Sequence, residues 1–255
     1  MSREAVVAGR AARARPREAG WPQAWSSSRV GGAMAIAAWA GLFWFLLLTG
    51  RDDLYLSRRT TWVVPIGAVL LTAAALGRLA SARVRSPEPM HAREALIMGL
   101  MVVPVVLVLA LPPATLGTFS AGKRAGFGAV GFTVSVGDVG SGPLTLIDVA
   151  SAQFSKPGEL ALAKRAGEQV EFVGFVTRYP DTPADEFLLT RFIVTCCVAD
   201  ATIAQVRVVN VPPGLFETND WVEVRGPIYP LGREVIVNAS SIQAVPRPDR
   251  PYLTP

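Results

Sequence analysis

The 255-residue chain contains one histidine, His91, and two cysteines, which are neighbours, Cys196-Cys197. A Ser-His-Asp or Cys-His hydrolase site would have to use that one imidazole, which lies between two long apolar runs. Two adjacent cysteines form neither a disulfide framework nor a spaced zinc motif. No enzymatic activity is therefore expected. Lysine is also scarce, with three against 22 arginines.

A basic face on a folded domain is missing too, although the chain carries a net charge of +5. Residues 1–119 hold 13 arginines against 6 acids, whereas 120–255 hold 12 basic residues against 14 acids. The excess flanks the apolar runs, where it acts as an orientation signal. The second half is slightly acidic and has no electrostatic reason to hold a phosphate backbone, so nucleic acid is not an expected partner.

Apolar residues make up 51% of the chain and are concentrated in three runs, 30–49, 62–80 and 95–116. Each approaches the ~20 residues that cross a hydrocarbon core of ~30 Å. The first is uncharged, opens on small residues and closes on Leu42-Phe43-Trp44-Phe45-Leu46-Leu47-Leu48. It is longer than the apolar core of a signal peptide, and Arg51-Asp52-Asp53 follows it in place of a small-residue cleavage site, so it reads as a retained helix. The second carries Arg78 near its end, where a long side chain can snorkel to the interface. The third contains Pro104 and ends at Pro112-Pro113. A bilayer is thus one expected partner, and 29–117 is read as a three-helix transmembrane region.

Arginines cluster in the tail (residues 1–28, expected to be disordered) and in the second loop, at Arg83, Arg85 and Arg93. The first loop has Arg51, Arg58 and Arg59, partly offset by Asp52 and Asp53, a pair of acids read as solvated. The positive-inside rule then gives a multi-pass cell-membrane protein with a cytoplasmic N-terminus and an extracytoplasmic second half.

Residues 118–168 read as a Gly-rich linker, with a strand candidate at 130–136 and short helices at 144–154 and 158–166. The Gly126-x-Gly128-x-x-Gly131 spacing has no strand before it or helix after it and is not taken as a dinucleotide fingerprint. From 169 to 246 the pattern is strand-like, with runs at 171–179, 187–198, 204–211, 221–228 and 234–245, ahead of a Pro-rich tail at 247–255. Five strands with short connections suggest a small barrel, with a β-sandwich as the alternative. The Trp221–Ile228 alternation, with Gly226 allowing a bend, is OB-like. The expected fold class is membrane α plus β: three transmembrane helices followed by a small OB-like β-barrel.

The segment Thr190-Arg191-Phe192-Ile193-Val194-Thr195-Cys196-Cys197-Val198-Ala199-Asp200-Ala201 resembles the T-R-F-x-x-x-C-C-x-A-D-A core of the YcgQ-like permease-subunit family. The helix set, the Leu-Pro-Pro-Ala-Thr-Leu close of the third run and the Val-Glu-Phe-Val-Gly-Phe-Val and Trp-Val-Glu-Val-Arg-Gly strands extend the resemblance. It implies bacterial membrane proteins that work with a multi-span permease, some of them linked to zinc homeostasis. A His-rich loop found in many members is reduced here to His91.

On an undistorted strand Cys196 and Cys197 would face opposite sides and could not share an ion. Three readings stay open: two small buried hydrophobes, a strand end that turns both sulfurs toward Asp200 as a zinc or other soft-metal site, or a vicinal redox pair. Arg191 and Asp200 flank this run and could pair with each other or cover a barrel end. Phe192 and Ala199 belong to the same motif, and Trp221 is expected to pack or to anchor at the bilayer. The leading function is an accessory subunit of a permease or transport system. The rivals are a tethered metal- or thiol-handling protein acting without a permease, and an envelope scaffold.

Overall fold

A computed structural model of the protein describes residues 24–84, 89–111, 115–124, 126, 139 and 142–255. Most of the basic tail, Arg85, Pro112-Pro113 and the strand candidate at 130–136 lie outside the described residues.

Among the described residues three helices are long and apolar enough to cross a membrane: α1 (Ser27–Thr49), α2 (Val63–Ala80) and α3 (Ala92–Ala110). The third differs from the sequence reading. It begins early enough to take Glu94 into its first turn, and it stops at Ala110 because Leu111, which precedes Pro112, turns to extended backbone. At the end of α1, Gly50 adopts φ 65° and its amide turns back to the Leu46 and Leu47 carbonyls.

Helix α1 lies between the other two and packs most extensively on α2. Small residues allow the close approach: Ala33, Ala35 and Ala40 are buried in α1 and Ala68 in α2. A Cβ on Gly67 would stand 2.6 Å from the Phe43 ring. The Trp44 indole donates to Thr72 Oγ1 (3.1 Å). Pro104 removes the amide that would serve the Leu100 carbonyl, and at the adjacent turn the Trp39 indole of α1 donates to the Met101 carbonyl (3.0 Å). Strands β1 (Ala24–Trp25) and β2 (Arg83–Val84) pair antiparallel and tie the start of α1 to the end of α2.

Among the described residues three short helices follow: α4 (Thr118–Ala121), α5 (Leu146–Ala152) and α6 (Lys156–Ala163). A Thr145–Asp148 capping box opens α5, and Ser155, with Pro157 in the first turn, opens α6.

The rest is built from β3 (Gln169–Thr177), β4 (Phe187–Ile193), β5 (Thr202–Val209), β6 (Trp221–Leu231), β7 (Glu234–Asn238) and β8 (Ser241–Ala244). The order β3-β4-β5-β7-β6 returns to β3, so five strands close a barrel, with β8 continuing along β6. All pairings are antiparallel except β5–β7. This closure decides between barrel and sandwich. Alternate residues of every strand enter one core that includes Val170, Phe172, Leu189, Val206, Val224 and Val237.

Two expected strands are cut short. The run at 234–245 breaks at Ala239-Ser240, opposite Gly226-Pro227 of β6, where Pro227 has no amide to offer the ladder. The run at 187–198 ends at Ile193, whose partner Thr202 is the first residue of β5, so 194–201 form a loop.

A Cβ on Gly226 would collide with the Asn238 carbonyl oxygen and crowd the Ser240 amide, both main-chain groups that cannot swing aside. Gly226→Ala is expected to cost about 1–3 kcal/mol, read as a lower midpoint of thermal unfolding of the full chain in detergent. An unchanged midpoint would show that the corner can relax.

Candidate thiol site

The β4–β5 loop carries both cysteines. Past Ile193 the backbone bends, and Val198–Asp200 form one 3-10 turn. The Asp200 carboxylate reaches back to accept from the amides of Thr195 (3.0 Å), Cys196 (2.7 Å) and Cys197 (3.3 Å). In return the Cys197 sulfur accepts from the Asp200 amide, a reciprocal cap in which a thiol takes the usual hydroxyl's place. The two cysteines lie past the end of β4 and not on an undistorted strand, so the opposite-face geometry does not apply to them.

The two sulfurs and an Asp200 oxygen all lie within 4.8 Å of one another. Both cysteines are free; Cys196 is exposed and Cys197 half-buried. The Cys196 thiol is pushed above its ordinary range, first by desolvation in the loop and then by Cys197 and Asp200, which disfavour a second negative charge. A cation would reverse that penalty. Oδ2 already accepts from two amides, whereas Oδ1 accepts from one and keeps a lone pair for an ion.

The loop is held from three directions. The Cys196 carbonyl accepts from the Ser57 amide (3.0 Å) and from Thr60 Oγ1 (2.6 Å), both in the α1–α2 connection. The Val198 amide donates to the Tyr55 carbonyl (2.9 Å), which completes a bridge between Leu56 and Cys197. From the segment after α3, Arg124 donates to the carbonyls of Ala199 (3.1 Å) and Ala201 (2.9 Å).

The third support is the tail. The Leu253 amide donates to the Phe192 carbonyl (2.8 Å), and Leu253 accepts from the Val194 amide (2.9 Å). Arg191 donates to the carbonyls of Pro251 (3.1 Å) and Arg250 (3.0 Å), so it fastens the tail and does not pair with Asp200. Arg250 pairs with Asp53 (3.1 Å), which makes that acid an anchor in place of a solvated rim group.

Phe192 stacks on Phe175 (5.7 Å), which in turn meets Trp221 (5.8 Å), while Tyr252 lies edge-on to Phe192 (6.4 Å). Trp221 therefore packs, with the Arg191 guanidinium 5.7 Å over its ring. Gly226 belongs to the barrel corner and has no part in the thiol site. Sequence reasoning missed Ser57, Thr60, Arg124 and Arg250. The Cys-x-x-Asp spacing of a reciprocal cap was the one local signal available for the loop.

Asp200→Asn removes a negative neighbour, so the Cys196 thiol should titrate lower. Site-resolved alkylation of Cys196 against pH is expected to shift its rise to lower pH in the variant. An unmoved curve would mean that the carboxylate does not act on the thiol.

Comparison with known proteins adds one finding. No curated protein matches the chain. Residues 155–255, which cover all of α6, the whole barrel and the tail, match the model of the DUF1980 C-terminal domain, as a DUF1980-family protein would.

Proposed function

We propose that this protein is a membrane-embedded accessory subunit whose barrel captures a zinc or similar soft metal ion at Cys196, Cys197 and Asp200 and presents it to a multi-span permease. The observation that carries the reading is the convergence of two sulfurs and a carboxylate within 4.8 Å on an exposed loop. Thiolate and carboxylate ligands suit zinc, and three protein ligands leave a coordination position open. An open position fits capture and release better than a buried structural site.

Several features support the membrane half of the proposal. The three helices keep most of their apolar surface exposed, and in α3 only Val105 is buried. The loop after α1 and the segment after α3 both meet the barrel, which agrees with three crossings and a barrel on one side. The first-loop arginines, which weaken the sign of the orientation rule, belong to a loop paired with the barrel. None of the three helices carries a charge in its central turns, so they supply no polar pathway of their own, and the resemblance to permease subunits provides the missing one.

The barrel order, with its parallel β5–β7 closure, is OB-like. Its aromatic face is closed to bases, however, because Phe175 and Phe192 are buried under Leu116 and Tyr252. This supports a reading without nucleic acid.

Zinc titration of the full chain in detergent, against a chromophoric chelator, is expected to show one equivalent bound. Binding should weaken as pH falls, because protons compete for the thiolates and the Cys196 thiol starts high. Cys196→Ser and Cys197→Ser should each weaken it by at least about tenfold, the scale of a lost thiolate ligand. Equal affinity in the variants, or no competition with the chelator, would refute the metal role. Purification from the native host without any permease would refute the partner.

A further inference from the structure

Packing among the three apolar helices leaves a cleft of about 450 Å³, lined by Gly32 and Ile36 of α1, Met98 and Met101 of α3, and the charged residues Arg78 and Glu94. The charges are at one end. Arg78 is in the last turn of α2, Glu94 in the first turn of α3, and β1–β2 pairing holds the start of α1 beside them. From Ser28 to Ile36 the cleft then runs about 12 Å along α1 toward its middle, at ~1.5 Å per residue.

Two details show that this is more than a loose fit. The Arg78 side chain, though exposed, lies over α1: a Cβ on Gly32 would collide with its guanidinium. The Glu94 carboxylate has one oxygen, Oε2, hidden from solvent and without a hydrogen-bond partner. A buried acceptor left unpaired is costly and calls for a donor.

We infer that this cleft binds a phospholipid with a primary-amine headgroup. The guanidinium of Arg78 takes the phosphate, the geometry at which arginine excels. The Glu94 carboxylate takes the ammonium, and one acyl chain lies along Ile36, Met98 and Met101. A zwitterionic headgroup matches one cation and one anion at a single mouth, where an anionic headgroup would leave Glu94 unserved. A quaternary amine has no N–H to give it. The inference rests on the membrane half of the function proposed above and is independent of the metal site.

The test uses the full chain and vesicles of phosphatidylcholine doped with either phosphatidylethanolamine or phosphatidylglycerol. Flotation with the vesicles comes first; a chain that does not float refutes the membrane reading itself. For a chain that floats, lipids retained after detergent extraction are counted by native mass spectrometry. The expected result is one phosphatidylethanolamine per chain, preferred over either competitor by about tenfold, the worth of one charge-assisted hydrogen bond. Glu94→Gln should lose the preference over phosphatidylcholine, and Gly32→Leu should lose the bound lipid. Since Gly32→Leu can disturb helix packing, Arg78→Gln serves beside it and should lower retention with unchanged helix content. Retention without headgroup preference, a preference that survives Glu94→Gln, or a lipid-free dimer with the cleft filled by a second copy would each overturn the inference.

Discussion

The arrangement depends on a short stretch of backbone pairing between two loops far apart in the sequence. Residues 55–60, which join the first two helices, and residues 196–198, which follow the fourth strand, exchange main-chain hydrogen bonds as strands would. Such bonds are directional and leave little freedom to slide. They fix the thiol loop at the end of the helix pair, and the Arg250–Asp53 pair extends the joint to the tail. A site on a free barrel would sample many positions relative to the helices. Here the Cys196 carbonyl holds Ser57 and Thr60, residues that lead into α2.

The joint also accounts for the use of the barrel's outer aromatic face. In a small closed barrel the core is filled by inward side chains, leaving one outward face able to bind something. This chain covers that face with its own segments, Leu116 from one side and Tyr252 from the other. Arg191 makes the covering specific by bonding to two tail carbonyls while lying over Trp221. Burial lowers its pKa from the ordinary value, yet a guanidinium stays charged, so the clamp persists at any ordinary pH. The thiol loop, by contrast, keeps Cys196 exposed.

Much of the architecture could be read from the chain because it rests on local patterns. Three apolar runs of spanning length and a two-residue alternation such as Trp221–Ile228 need no partner to be recognised. Gly226 was legible as a bend for the same reason. The errors arise where pairing overrides propensity. The β-branched run through Val198 extends a strand on paper, but Ile193 is the last residue with a ladder partner, and the loop follows its Asp200 cap instead. That one difference turns two opposed cysteines into neighbours. Asp53, Ser57, Thr60, Arg124 and Arg250 carry no short-range signal, since each acts across a large sequence separation. Glu94 was hidden differently: the helix starts earlier than the apolar run, and the start decides which charges line the cleft.

Amide hydrogen exchange of the full chain tests the joint most directly. Ser57 and Val198 donate the bonds that tie the loops together, so their amides should exchange as slowly as those of the barrel strands. If both exchange as fast as the exposed Gly214 amide in the turn after Pro213, the loops are not docked, and the thiol site is no longer coupled to the helices.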